Sequence, residues 1–490
     1  MSNNKQLKKK TLTGLIWSFV DLMANQGIQF IIMIILARLL VPEHFGLLGM
    51  IMIFVALSQT LVDSGFSQSL IREKTVSKLD YSTVFIFNII FSIVIFLLIY
   101  FIAPLVSNFY NEPQITSILR VIGLVVFFQA ISIVPKTILT RKVDFKAQAK
   151  ASVISSISSG VIAIVMAYAG FGVWSLVFRI IIQKMIESFM LIYINRWIPT
   201  FKFSMSSFKR FFGFGWKLLV SSLIDTFYMN IYYVIIGKMY TTRDLGLYTN
   251  SRQLKDAINN GITQSIQRVT YPVLSSIQSK EAELKQGFKK LIKLTSYVFF
   301  PVMLGIAAIA NSFLILLLGQ KWEGAVFYFQ LLCISSILFP LQAINLNILK
   351  VKGRSDLFLR LEIIKKVLVT IALLVTILLN LGVASFIVTA IITAHISLLI
   401  NTYYSGKEIG YGTKEQIKDI FPAYLTSFLM AIVVYSLGLV LNTSLLLTVL
   451  IQVTTGVFIY IILSKISNKS ALDDMINILR PLLLKVIKKK

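Results

Sequence analysis

Cysteine, histidine and acidic side chains are scarce in this chain of 490 residues. The one cysteine, Cys333, lies inside an apolar run, so neither a disulfide framework nor a thiolate metal site can form, and it reads as a small buried apolar residue. Two histidines, His44 and His395, cannot build a usual zinc site. His395 reads first as a packed imidazole and second as a proton relay. No GxxxxGK(S/T) loop is present to cradle a nucleotide, which excludes an ATPase. Every connection between apolar runs is short, which leaves no room for a catalytic domain, so the expectation is a non-enzyme without cofactor or metal. Charge is scarce as well, at 14% of residues against about 25% in a soluble domain. Acids number 21 against 48 lysines and arginines. A nucleic-acid binder would carry that excess on a solvated face. Here the basic residues fall between long apolar runs, so the charge is a statement about topology and nucleic acid is not an expected partner.

Long apolar runs are what the chain does have, and its hydrophobic share is 56%. A basic start (Lys5, Lys8, Lys9, Lys10) leads into an apolar stretch from Leu12 to Leu40, longer than a signal-peptide core, so it reads as a first membrane span. Because unpaired backbone amides are not tolerated in lipid, each crossing needs about 20 helical residues. Cutting on that length gives about fourteen spans: 14–38, 46–70, 83–106, 116–139, 151–169, 174–194, 213–239, 246–275, 294–318, 326–349, 361–381, 383–403, 420–440 and 445–464. The eighth is the most polar. The N-terminus, alternate loops and tail hold most of the basic residues, among them Arg72, Lys74, Arg141, Lys142, Lys285, Lys289, Lys350 and Arg354, whereas the other loops hold only Arg243 and Lys321. Positive charge stays inside, so both termini are expected in the cytoplasm and the protein in the inner (cytoplasmic) membrane. From Ser464 onward, Leu472, Met475, Ile476, Leu479 and Leu483 recur at helical spacing before Lys488–Lys490. That is the pattern of an amphipathic helix on an anionic leaflet; a solubilising tail is the other reading.

An internal repeat organises these spans. A shift of 200 residues lays Ile35–Gly46 (ILARLLVPEHFG) on Ile235–Gly246 (IIGKMYTTRDLG), matching Arg38 with Lys238 and Gly46 with Gly246. Further on, Thr137–Lys142 (TILTRK) meets Asn347–Lys352 (NILKVK) at a shift of 210. Spans one to six therefore resemble seven to twelve, in the same orientation, as in parallel-repeat transporters. The expected architecture is an all-α polytopic membrane protein: a six-helix lobe over 1–200, a second over 201–410, spans thirteen and fourteen over 411–465 and a basic amphipathic tail over 466–490.

Polar residues at membrane depth carry the functional signal, because a charge there costs about 2.5–3.5 kcal/mol on insertion scales. In span one, Ser18, Asp21, Asn25 and Gln29 make one stripe, and Gln59, Asp63 and Ser67 do the same in span two. The repeat shift drops the latter onto Asn259, Thr263 and Gln267 of span eight, where Arg252, Lys255, Asp256 and Arg268 join the face. Span seven adds Ser221, Asp225, Tyr228 and Tyr232; span six adds Arg179, Gln183, Lys184 and Glu187. Two readings stay open. Amide and hydroxyl stripes commonly bond neighbouring helices, and cations near span ends (Arg38, Lys238, Lys217, Lys365, Lys366) commonly snorkel. The functional reading assigns ion coupling to Asp21, Asp63 and Asp225, and substrate contact to Arg179, Lys184, Arg252, Lys255 and Arg268 with Asn25, Gln29, Gln59, Asn259, Tyr228 and Tyr232. Arginine's paired donors suit phosphate.

Three stretches carry a family resemblance: GLIWSFVDLMANQGIQFIIMIILARLLVPEHFGLLGM near the start, RVTYPVLSSIQ at Arg268–Gln278, and GQKWEGAVFYFQLLC from Gly319. They resemble the Wzx-type polysaccharide exporters of the multidrug/oligosaccharidyl-lipid/polysaccharide (MOP) superfamily, in the branch of the colanic-acid and teichuronic-acid flippases. The resemblance implies two six-helix lobes around a central, often cationic cavity, two extra C-terminal helices, and alternating access that flips a polyprenyl-diphosphate-linked oligosaccharide to the outer leaflet. It places Asp21 where cation-coupled relatives carry an acidic ion site, a match of position only. The partners to expect are that lipid-linked oligosaccharide, membrane lipids, a coupling cation (sodium or proton), and a polysaccharide polymerase with its synthesis enzymes. A cation-coupled drug antiporter would want an acidic or aromatic cavity instead, and a non-transporting scaffold would need no intramembrane charge.

Overall fold

The computed structural model describes residues 2–467 with Leu472, Asp473 and Met475; the side chains of residues 2–16 and of Ser265, Gln267, Arg268 and Val269 are outside that description. Among the described residues all regular structure is helical. Eighteen α-helices resolve into fourteen stretches, because four stretches are broken once. Each falls on an apolar run singled out above. Eleven stretches are long and apolar enough to cross a membrane. The three that fall short of that mark among the described residues lie over spans six, eight and eleven, each with charges close together in sequence: Arg179, Lys184 and Glu187 in the first; Arg252, Lys255 and Asp256 in the second; Glu362, Lys365 and Lys366 in the third. The expected tail helix lies almost wholly outside the described residues.

The chain divides into two compact units, Met1–Asn250 and Ser251–Lys490. The first contains α1 (Ser2–Leu39), α2 (Pro42–Asp63), α3 (Phe66–Arg72), α4 (Lys78–Tyr110), α5 (Gln114–Ile122), α6 (Leu124–Arg141), α7 (Phe145–Tyr168), α8 (Val173–Asn195), α9 (Met205–Met239) and the first turns of α10 (Thr242–Ser276). Local chemistry sets several of these boundaries. Pro42 opens α2, where its missing N–H costs nothing. Ser77 and Asp80 form a reciprocal capping box at the start of α4. Ser64 and Gly65 both sit in the left-handed region and break span two into α2 and α3. In lipid, helices associate through close packing rather than a hydrophobic drive. α7 serves that need with a face of small buried residues, Ala147, Ala151, Ser155, Ser156, Ser159, Gly160 and Ala163, on which α1 and α8 both pack.

The second unit holds the rest of α10, then α11 (Glu281–Ala308), α12 (Ala310–Leu318), α13 (Ala325–Ser336), α14 (Phe339–Val351), α15 (Ser355–Leu379), α16 (Val383–Ile409), α17 (Thr413–Val440) and α18 (Leu445–Ser467). α11 packs along α17, and α17 along α18. Side-chain bonds to backbone fasten α18 to both: Gln452 donates to the Val434 carbonyl of α17 at 2.9 Å and Tyr460 to the Tyr297 carbonyl of α11 at 2.7 Å. α16 is held by Gln342 donating to the Ala394 carbonyl at 3.0 Å and by Ser405 donating to Asn345 Oδ1 at 2.5 Å.

Candidate functional site

In the first unit, α1, α6, α7 and α8 build one polar network at membrane depth. Asn25 is its hub: its amide donates to Asp21 Oδ1 at 2.6 Å and to Ser152 Oγ at 2.5 Å, while its carbonyl accepts from Ser156 at 2.8 Å. Gln183 of α8 donates to the same Ser156 at 3.1 Å. One turn along α8, buried Glu187 accepts from Lys184 at 3.0 Å and from Lys136 of α6 at 3.1 Å. Asp21 is within electrostatic range of both Lys136 and Glu187, which joins the two halves of the network. Arg179, one turn before Gln183, continues the stripe half-buried and makes no hydrogen bond or ion pair among the described residues. Lys136 and Lys184 thus balance Asp21 and Glu187 in formal charge, and Arg179, further along the α8 stripe, adds one positive charge.

Three members were not singled out from sequence as site residues. Lys136 stands alone in an apolar run, and Ser152 and Ser156 look like ordinary small packing positions. Glu187 was part of the span-six stripe; its role as the shared counter-ion of two lysines emerges only from the packing of α6 against α8.

The other expected residues are placed differently. Gln29 is exposed at the surface of its unit. Gln59 is half-buried on α2, next to Thr60, whose hydroxyl meets that of Thr226 of α9 at 3.2 Å. Asp63 accepts from Ser67 Oγ at 2.5 Å and from Ser67 N at 3.3 Å, so it caps the turn into α3. On α9, Asp225 is exposed while Tyr228 and Tyr232 are half-buried. In the second unit, Arg252 and Lys255 share one carboxylate, Asp256, at 3.7 and 2.5 Å. One turn on, Thr263 donates to buried Asn259 at 3.2 Å. The Arg268 side chain lies outside the described residues.

The repeat has a direct structural counterpart. Where α2 and α10 begin, the equivalent glycines Gly46 and Gly246 let the two backbones touch: a Cβ on Gly46 would collide with the Thr242 carbonyl oxygen, and one on Gly246 with that of Pro42. Glu43 and Arg243, also 200 apart, face each other at 4.0 Å, and Lys238 donates to the Phe109 carbonyl at 2.6 Å. A Cβ on Gly49 would lie 2.6 Å from Thr249 Oγ1, which extends the close approach by a turn.

The second unit contains a cavity of about 610 Å³ between α11, α17 and α18, almost wholly apolar, with Pro301, Met430, Val434, Gly456 and Tyr460 in its wall and Lys465, Leu472 and Met475 lining it too. Separately, Lys289 and Lys293 of α11 both pair with Asp419 at 3.0 Å, and Tyr411 donates to Asp419 at 2.6 Å. Burial, and then the carboxylate that holds its hydroxyl, raises the Tyr411 phenol above its ordinary range. This cluster ties the α16–α17 turn to the start of α11.

Fold and site together define a multi-pass helical membrane protein. The chain belongs to the polysaccharide biosynthesis protein family, whose pattern matches residues 35–327. It is similar to the teichuronic acid biosynthesis protein TuaB of Bacillus subtilis, 25% identical over 357 residues that make 72% of this chain and 73% of that one. The lipopolysaccharide biosynthesis protein WzxC of Escherichia coli is 23% identical over 449 residues, 89% of each chain. Among solved structures, the lipid II flippase MurJ in an inward closed conformation superposes with a TM-score of 0.74 at 15% identity, covering 94% of this chain and all of that one. The resemblance to Wzx-type exporters read from the sequence is therefore upheld.

Proposed function

We propose that this protein flips a polyprenyl-diphosphate-linked oligosaccharide across the cytoplasmic membrane by alternating access, as a step in cell-surface polysaccharide export. The observation that supports this reading is the polar network around Asn25 and Glu187, with Arg179 as an added positive charge on the same helix as Glu187. A diphosphate cannot enter a low-dielectric environment without compensating cations, which Arg179 and the two lysines offer, whereas a cationic drug would gain nothing from them. Asn25, Gln183 and the serines offer amides and hydroxyls for sugars, and the apolar cavity between α11, α17 and α18 suits the prenyl chain. In this reading the lobes are 1–200 and 201–410, Asp21 serves a coupling cation, Arg252 and Lys255 add potential along α10, and a polymerase receives the product.

The reading makes the outer face the side of Glu43 and Gly324. In a Cys333→Ser background, cysteines at Glu43, Asn111 and Gly324 are expected to react with an impermeant thiol reagent in intact cells, and cysteines at Ser77 and Lys146 only after lysis. Labelling of the second group in intact cells would reverse the topology. As a test of function, loss of the gene is expected to accumulate one lipid-linked oligosaccharide on the cytoplasmic leaflet, identifiable by mass spectrometry of extracted lipid. An unchanged lipid pool would remove the assignment.

A further inference from the structure

The connection between α8 and α9 has features that neither transport nor packing uses. Residues 196–204 have no helical structure. No acid occurs between Glu187 and Asp225, a stretch that contains Arg196, Lys202, Lys209, Arg210 and Lys217. Inward-facing groups nail the segment to the first turns of α4. The Trp197 ring packs edge-on against Tyr81 and Phe85 at 6.4 and 5.5 Å, Thr200 N donates to Ser82 Oγ at 2.9 Å, and Ser204 N donates to Thr83 Oγ1 at 3.1 Å. Asn195 adds a bond to the Pro135 carbonyl at 3.0 Å. Between these anchors the large apolar side chains point away: Ile198 is 79% exposed and Phe201 87%. Arg210 is taken by Asp80 at 2.6 Å, but Arg196, Lys202 and Lys209 are exposed.

We propose that this strap is a binding element for anionic phospholipid, lying in the headgroup layer with Ile198 and Phe201 among the upper acyl chains and Arg196, Lys202 and Lys209 on the phosphates. Its depth follows from the anchors. A backbone without helical hydrogen bonds cannot enter the hydrocarbon core exposed to lipid, and the bonds to Ser82 and Thr83 hold it level with the start of a span, where that core ends. Aromatic rings alternating with lysine and arginine are the chemistry of this layer. A water-facing loop would have no use for two large apolar side chains displayed by deliberate anchoring of their neighbours. The inference needs only that α4, α8 and α9 cross the membrane, and it survives if the substrate assignment does not.

The test is spin labelling of the full chain in a Cys333→Ser background, reconstituted into phosphatidylcholine vesicles with and without phosphatidylglycerol. Nitroxides at Ile198→Cys and Phe201→Cys are expected to favour dissolved oxygen over an aqueous nickel chelate, approaching a reference label at Leu374 of α15 and unlike one in the turn at Ser279. Phosphatidylglycerol is expected to raise the thermal midpoint of the unlabelled protein, and Arg196→Gln with Lys202→Gln and Lys209→Gln to remove most of that rise. If the labels are as open to the chelate as Ser279, the strap faces water or a protein partner and the proposal fails. A rise unaffected by the three glutamines places the lipid site elsewhere and overturns it equally.

Discussion

Gly246→Leu is expected to reduce transport by roughly tenfold or more, a barrier change of about 1.4 kcal/mol or greater, while the protein still reaches the membrane. Gly246 rests on the Pro42 carbonyl and Gly46 on that of Thr242, so any side chain at either position forces two helix backbones apart. Overpacking of well-packed sites costs about 1–3 kcal/mol when neighbours can give, and a backbone carbonyl gives less than the end of a flexible side chain. In the alternating-access reading this contact joins equivalent points of the two repeats on the outer side, so it exists in one half of the cycle and opens in the other. A penalty confined to one state shifts the population to the other by its full amount. Gly46→Leu is expected to behave the same way because the repeat makes the two sites equivalent. Gly213→Leu is the control, since nothing lies within 4 Å of a Cβ there. Export of polysaccharide by variants in a strain lacking the native gene, normalised to membrane level, measures the effect. Normal export by both leucine variants would show that the contact need not form.

Glu187→Gln is expected to destabilise the protein more than loss of any single cation around it. Its carboxylate is the shared partner of Lys136 and Lys184, and only 11% of it is exposed. Breaking a buried pair by removing one member costs about 3–5 kcal/mol because the remaining charge is stranded. Lys136 is 50% exposed and can turn to water, so the lower end, about 3 kcal/mol, is the better figure. Arg179→Gln makes a useful contrast: Arg179 has no partner among the described residues to strand, so its variant should keep the fold and lose transport. Thermal denaturation in detergent read beside export separates the two outcomes. Equal midpoints for wild type and Glu187→Gln would mean that the network contributes nothing to stability.

Much of the fold was legible because lipid imposes length and polarity on every span. The glycine crossing of α2 and α10 was visible too, as the match of Gly46 with Gly246, though only the packing showed why glycine is required. The break in span two was missed: the run 46–70 is long enough for one crossing, and the polar residues around the Ser64–Gly65 turn read as a stripe on one continuous helix. Asp63 therefore looked like one more member of a cavity stripe, and the structure gives it a local partner in Ser67. Asp21 and Asn25, which repeat along one helix, do meet in the structure through the Asn25 amide. Lys136 could not be found this way, because it is the one member of the network from α6 and leaves no periodic trace there, and the α7 serines are lost among other small residues of the same helix.

The central claim is that this chain moves a lipid-linked oligosaccharide between leaflets. The direct measurement uses the purified protein in liposomes containing a polyprenyl-diphosphate-linked oligosaccharide with a fluorophore on the sugar, and follows quenching by impermeant dithionite. Protein-free vesicles should lose about half of the fluorescence, that of the outer leaflet. Vesicles with the protein should lose nearly all of it, and vesicles with Gly246→Leu should stay near the protein-free level. Quenching that stops at half with the wild-type protein, across imposed sodium and proton gradients, would contradict the account.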